Sequence, residues 1–221
     1  MAKAAEIVTE RWTILVIREL LCGSHRFSEI QRGVPLMSPS LLAQRLRMLE
    51  RAGVVERRSG GRSPEYHLTT AGEELGPVVM LLGAWGQRWT AAAIDAGDLD
   101  AGLLMWDVRR RLHADRLPRR RTVVRFHFLD GTRGKRDWWL VVDRGEADLC
   151  LTDPGYDVDL TVTSDVLSLT LVWMGRLGVT DAVQGGRITL DGRRDLARAF
   201  PGWLQLSAFA GAAPLPAAAR P

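Results

Sequence analysis

The apolar positions of the first ninety residues recur at helical spacing, with interruptions that divide them into short elements. Over residues 2–21 the apolar side chains follow the three- and four-residue repeat of a helix, and a break is predicted near residues 9–13. A second, short helix is predicted from about residue 28, and Gly33 and Pro35 end it.

A third helix begins in a recognisable way at "MSPS". Ser38 suits the N-cap, and Pro39 suits the first helical position, where no backbone N–H is needed. One face is apolar at helical spacing, through Leu42, Leu46 and Leu49, and the opposite face carries Ser40, Gln44, Arg47 and Arg51. Two short helices with a tight connection, the second presenting polar side chains outward, predict a helix-turn-helix.

Two strand-like runs follow, "VVERR" and "EYHLT", separated by the turn sequence "SGGRSP". They predict a two-stranded wing with Arg57, Arg58 and Arg62 on or near its tip. The next helix, predicted from Thr69 or Thr70, carries more apolar side chains than one small domain buries. Such a helix is typical of a dimer interface.

The second half changes period. Residues 91–102 predict a linker, and after one more helix the polar and apolar positions alternate in four strand-like runs. Helices return after Ser164, with one further strand at "GRITLDG". Strands and helices that do not alternate one for one predict an α+β fold: a winged helix-turn-helix over residues 1–92, an antiparallel sheet covered by helices over 93–209, and a disordered tail at 210–221.

Charge is concentrated in the helix-turn-helix and wing. Residues 22–68 hold eight Arg and four Glu, so this window alone equals the net charge of +4 of the whole chain. Arginine and glutamine side chains suit guanine and adenine edges, and serine hydroxyls suit phosphate. Each arginine taken singly fits a solvated surface, but together they indicate double-stranded DNA as partner. The predicted DNA contacts are Arg26, Ser38, Pro39, Ser40, Gln44, Arg45, Arg47, Arg57, Arg58 and Arg62.

Other chemistries are not indicated. The four histidines have no partner at metal-ligand spacing, and no nucleophile, phosphate-loop or dinucleotide motif occurs, so we expect no metal, no cofactor and no enzyme activity. Cys22 and Cys150 lie in apolar runs and are expected to be buried. The chain shows no signal-peptide pattern and no apolar run of membrane-spanning length, which predicts a cytoplasmic protein without membrane association.

The motifs "ERWTILVIRELL", "RFSEI", "SPSLLAQRLRMLERAGVV" and "YHLTTAG" together resemble the winged helix-turn-helix of HxlR-type bacterial transcriptional regulators, over roughly residues 4–90. The resemblance implies a homodimer that binds a pseudo-palindromic operator with the capped helix in the major groove. Many such relatives carry a cysteine shortly before the first helix, and some sense oxidants or aldehydes with it. No cysteine stands at that place in this sequence.

Roughly residues 100–208 look like a sterol-carrier-protein-like domain, through "VVRFHFLDG", "WWLVV", "TDPGYDVDLTV" and "LARAFPGW". The resemblance implies an apolar cavity between sheet and helices, with an apolar molecule or lipid as ligand. Residues that would line the cavity, or else fill an ordinary core, are Val124, Phe126, Phe128, Trp139, Leu171 and Trp173. The prediction is a DNA-binding regulator modulated by such a ligand. The alternative is a lipid or small-molecule carrier that uses its N-terminal half to dimerise.

Overall fold

A computed structural model describes residues 1–59, 61, 63–90, 97, 99–131 and 135–212. The chain divides into two compact units, Met1–Gly86 and Gln87–Pro221. The division lies inside a helix and a few residues before the predicted boundary at residue 92. Most of the predicted linker, residues 91–96 and 98, lies outside the described residues, as does the predicted tail from residue 213.

The N-terminal unit has the predicted order of helices and a wing. Its elements are α1 (Ala2–Val8), α2 (Thr13–Leu21), α3 (Phe27–Gly33), α4 (Pro39–Arg51), β1 (Val55–Arg58), β2 (Glu65–Leu68), α5 (Thr70–Glu73) and α6 (Gly76–Trp89). Trp12 separates α1 from α2 in the left-handed conformation, with φ of 77°. The predicted break in the first helical segment is therefore confirmed.

The core of this unit joins the apolar faces of α2, α3 and α4. Ile17, Ile30, Leu42 and Leu49 are completely buried. A carboxylate shares that core: Glu19 is fully buried, accepts a hydrogen bond from Arg18 at 2.8 Å and takes another from the Ser24 hydroxyl at 3.3 Å. Cys22, at the end of α2, is exposed, so the expectation that it is buried was wrong.

The C-terminal unit contains the predicted strands and helices. They are α7 (Ala101–Arg110), a 3-10 turn (Ala114–Arg116), β3 (Thr122–Phe128), β4 (Asp137–Asp143), β5 (Glu146–Cys150), β6 (Leu160–Ser164), α8 (Val166–Trp173), α9 (Val179–Gln184), β7 (Ile188–Gly192) and α10 (Arg194–Trp203). Asp100 lies in the predicted linker, but its carboxylate caps α7.

The five strands form one sheet in the order β5-β4-β3-β6-β7. Three neighbouring pairs are antiparallel, but the pair formed by the central strand β3 with β6 is parallel, with Val124 opposite Leu160 and Phe126 opposite Val162. The sheet is therefore mainly antiparallel, as predicted, and the parallel pairing of β3 with β6 is a feature that the sequence did not predict. β4 and β5 meet in a tight hairpin whose two central residues, Arg144 and Gly145, both have positive φ, as a two-residue turn of type I′ requires.

One face of this sheet packs against α7, α8 and α10. Phe126, Leu140 and Val162 from the strands meet Met105 from α7 and Phe200 from α10 in a single buried cluster. The start of the predicted tail is also ordered, since Ala210 donates a backbone hydrogen bond to the Ser207 carbonyl oxygen at 3.0 Å. Among the described helices, none combines the length and hydropathy that crossing a membrane requires.

Candidate nucleic-acid interface

The start of α4 is fixed as the sequence predicts. Ser38 is the N-cap, and its hydroxyl accepts the backbone N–H of Leu41 at 3.3 Å. Pro39 occupies the first helical position, where the missing N–H costs nothing. Leu42, Leu46 and Leu49 bury the inner face of the helix, so the direction of its outer face is determined by the core.

The outer face of α4 presents Ser40, Gln44 and Arg47, all exposed. The Ser40 hydroxyl lies 3.1 Å from that of Ser38, within hydrogen-bonding distance. Within the described part of the chain, Arg47 takes part in no ion pair. Three side chains that offer hydrogen-bond donors to a polar partner therefore lie in one row along an exposed helix.

Arg45 does not belong to this row, and we remove it from the predicted contacts. Its side chain is only 10% exposed and forms an ion pair with Glu10, with Nη2 and Oε2 at 3.2 Å. Its other terminal nitrogen lies 3.4 Å from the Met48 sulfur. The guanidinium holds α4 against the connection between α1 and α2, so it is unavailable to a phosphate.

The wing is a two-stranded antiparallel ribbon, β1 paired with β2. Arg57 and Arg58 are both exposed on β1. Arg58 is paired with Glu56, which accepts its Nε–H at 2.8 Å, while more than half of the arginine side chain remains open to solvent. Arg62, the third predicted wing contact, lies outside the described residues.

Arg26 lies where α3 begins and connects this helix to the wing. It forms a bridge with Glu65 of β2, and the two side chains approach to 3.7 Å, leaving Arg26 58% exposed. Glu29 accepts the backbone N–H groups of both His25 and Arg26 at 3.0 Å, which holds the start of α3.

A contact between two histidines at the same place was missed from the sequence. The rings of His25 and His67 are stacked with centroids 4.2 Å apart, and Glu65 lies 3.2 Å from His67 Nε2. The residues are far apart in the chain, and only the pairing of the wing with the start of α3 brings them together. No local sequence pattern marks such a contact.

The predicted apolar excess on α6 lies at the surface of the N-terminal unit. Val78, Leu81, Leu82 and Trp85 are between 48% and 72% exposed. Val78 and Leu82 also line a groove of about 390 Å³ whose other wall is formed by the end of α1 and the start of α2: Val8, Thr9, Glu10, Arg11, Trp12, Ile14 and Leu15. Contiguous exposed apolar surface of this kind is typical of an interaction site.

Of the six residues predicted to line a cavity in the C-terminal unit, four belong to one buried core cluster and two, Trp139 and Leu171, lie outside it. Val124, Phe126 and Phe128 fill the main core, and Leu171 is half-buried on α8. Trp139 points to the opposite face of the sheet, because in β4 it is Trp138, Leu140 and Val142 that are buried. Trp173 alone of the six lines a pocket described for this unit, of about 260 Å³ between α7 and α8.

Comparisons with known proteins bear on the N-terminal unit. The family model described as HxlR-like helix-turn-helix matches residues 7–93. The HTH-type transcriptional regulator YvaP of Bacillus subtilis is 40% identical over 101 residues, which cover 44% of this chain and 90% of YvaP. An HTH-type transcriptional regulator of Mycobacterium bovis is 37% identical over 92 residues, covering 40% of this chain and 58% of that relative.

A solved structure gives a similar match. The reduced form of the transcriptional regulator YodB from B. subtilis is 32% identical, covers 42% of this chain and 95% of its own, and superposes with a TM-score of 0.38. The chain spans nearly the full length of YvaP and YodB but under two thirds of the mycobacterial relative, and the family model does not extend beyond residue 93. By its N-terminal unit, the chain belongs to the HxlR-like helix-turn-helix family of transcriptional regulators.

Proposed function

We propose that this HxlR-type transcriptional regulator binds a pseudo-palindromic operator as a homodimer, with α4 of each protomer in the major groove. The observation that carries the proposal is the exposed row of Ser40, Gln44 and Arg47 on a helix whose other face is locked in the core. Arg47 suits a guanine edge, Gln44 suits an adenine edge, and Ser40 at the helix start suits a phosphate.

The wing contributes charge in this proposal. Arg57 and Arg58 contact backbone phosphates beside the groove, and Arg58 exchanges Glu56 for a phosphate on binding. Arg26, at the joint between α3 and the wing, adds a further phosphate contact. Removing a phosphate contact lowers the affinity for all DNA sequences alike, whereas removing a base contact from α4 changes which sequence is preferred.

The test is a fluorescence-anisotropy titration with the DNA upstream of the protein's own gene. Replacing Gln44 and Arg47 together by alanine should weaken the free energy of operator binding by at least about 1–3 kcal/mol. It should also reduce the preference for operator over random DNA. Arg51→Ala is the matched control, since Arg51 is an exposed arginine in the last turn of the same helix. Equal affinity of wild type and the double variant would refute α4 as the helix that contacts the bases.

The dimer is proposed to form through the apolar face of α6. Val78, Leu81, Leu82 and Trp85 are large, exposed and contiguous, and a second copy of the same surface would cover them. A two-fold symmetric dimer also accounts for a two-fold symmetric operator. Sedimentation of wild type as a monomer at micromolar concentration would contradict this part of the proposal.

For the C-terminal unit we propose a sterol-carrier-like domain whose apolar ligand alters operator affinity. The pocket between α7 and α8 supports the ligand. The carbonyl oxygen of its wall residue Met174 accepts a hydrogen bond from Gln87 Nε2 at 3.1 Å, within the same unit.

Coupling requires that the ligand bind two states of the dimer with different affinity. An apolar molecule that raises the melting temperature should therefore also change the operator Kd. An unchanged operator Kd at saturating ligand would refute the coupling and leave DNA binding intact. The comparisons give no support to the alternative of a carrier that uses its N-terminal half only to dimerise, and affinity for DNA that falls log-linearly with salt would exclude it.

A further inference from the structure

The pocket between α7 and α8 has a charge pattern that selects its ligand. Its volume is about 260 Å³, and its walls are Leu99, Asp100, Leu103, Leu104, Asp107, Thr170, Trp173 and Met174. The walls are mainly apolar, and the two charged residues among them are both aspartates. None of these wall residues is a lysine or an arginine.

Asp100 is the carboxylate that remains able to bind a ligand. It caps α7 by accepting the backbone N–H groups of Gly102 and Leu103 at 2.8 and 3.0 Å, and both bonds use Oδ1. The second oxygen, Oδ2, therefore keeps its capacity to accept a hydrogen bond. Asp107 is nearly buried and already forms an ion pair with Arg110 at 3.4 Å, so it adds less to the potential in the pocket.

The remaining walls suit an apolar group next to a positive charge. Trp173 presents an indole, whose face attracts cations. Met174 has a flexible and polarizable side chain that adapts to an irregular ligand. The Thr170 hydroxyl donates its proton to the Val166 carbonyl oxygen at 2.8 Å, so its oxygen can accept a further hydrogen bond but has no proton left to donate.

We infer that this pocket binds a small apolar amine, in which a protonated amino group meets Asp100 and an alkyl or aryl group lies against Leu103, Trp173 and Met174. A carboxylate or phosphate ligand of the same size would meet acidic residues without a basic partner in the wall. The inference deepens the ligand-binding part of the proposed function by stating the sign of the ligand's charge. It does not depend on DNA binding.

The test compares three probes of equal alkyl length on the full-length protein without DNA: hexylamine, hexanol and hexanoate. Isothermal titration near neutral pH should give hexylamine an affinity at least about tenfold above hexanoate, the ratio expected from one charge-assisted hydrogen bond. Chemical shifts of the Trp173 indole N–H, assigned with Trp173→Phe, would locate the bound probe.

Asp100→Asn separates charge from folding, because asparagine caps helices about as well as aspartate. It should lower the affinity for hexylamine by about tenfold and leave hexanol unchanged. Asp165→Asn is the matched control: Asp165 caps α8 in the same way, accepting the Ser168 N–H at 2.6 Å, and is not a wall residue of the pocket.

Hexanoate binding as tightly as hexylamine would overturn the inference, and so would an equal loss in both asparagine variants. Absence of binding by all three probes, with the indole signal of Trp173 unmoved, would overturn it too. None of these results bears on α4 and the operator, which the anisotropy titration tests separately.

Discussion

Gly33→Ala tests the close packing of the end of α3 against the buried carboxylate of Glu19. Gly33 ends α3, and a methyl group at this position would stand 1.9 Å from both Cδ and Oε2 of Glu19. Its φ is not in the left-handed region, so the backbone itself accepts alanine. The cost therefore comes from the carboxylate, which is fully buried and bonded to Arg18 and Ser24.

The size of the effect follows from these contacts. Displacing the carboxylate weakens hydrogen bonds to a charged group, each worth about 1.5–3 kcal/mol. Alanine in place of glycine within a helix stabilises the folded state by about 0.5–1 kcal/mol, which offsets part of this loss. We expect a net loss of about 2–4 kcal/mol in the free energy of unfolding, which overlaps both the about 1–3 kcal/mol typical of an overpacked core and the about 3–5 kcal/mol for an unpaired buried charge.

A urea titration read by hydrogen exchange in peptides from residues 13–33 would measure this loss for the N-terminal unit alone. Gly76→Ala is the control, because a methyl group there meets only Leu21 at an ordinary 3.6 Å. In a Glu19→Ala background the cost of Gly33→Ala should disappear. Additivity of the two substitutions within about 0.5 kcal/mol would refute the clash with Glu19.

Four further outcomes follow from single contacts. Gly72→Ala places a methyl group 2.3 Å from the Val54 carbonyl oxygen, a backbone atom that cannot rotate away, so thermal unfolding should show a loss of about 1–3 kcal/mol. Arg45→Ala should lower stability but leave the salt dependence of DNA binding unchanged, whereas loss of a phosphate contact would reduce the slope by about 0.9. Leu81→Glu should convert the dimer to a monomer in sedimentation, since the side chain is 72% exposed on the proposed interface. Arg193 holds the pKa of Asp195 at about 2, below its ordinary value of 3.8. The ion pair therefore stabilises the fold at pH values above 3.8, and this stabilisation is lost as the pH falls through about 2. In Arg193→Gln the pKa of Asp195, measured by NMR, should rise toward 3.8.

Local patterns were sufficient for the elements and for most of the proposed interface. The cap at Ser38, the leucine spacing of α4 and the glycine turns depend on neighbours within a few residues, so sequence alone predicts them. The same holds for the exposed face of α4, because burial of Leu42 and Leu46 fixes where Gln44 points.

Long-range partners account for what the sequence did not predict. Arg45 is an arginine on the predicted DNA-binding helix, but its side chain forms an ion pair with Glu10, which is 35 residues away in the sequence. Trp139 was assigned to a cavity because it is aromatic, yet the register of β4 turns it to the other face. Cys22 lies in an apolar run but ends a helix at the surface. Local sequence patterns cannot predict contacts between residues that are far apart in the chain.

The parallel pairing of β3 with β6 has a consequence for synthesis on the ribosome. β3 can pair with β4 as soon as residue 143 is available, but its other edge has no partner until Leu160–Ser164 have been made. An unpaired strand edge is a template for association with other chains. A nascent chain that stops between these points therefore exposes one open edge of β3, and the sheet closes only after the β4–β5 hairpin and the following loop have been synthesised.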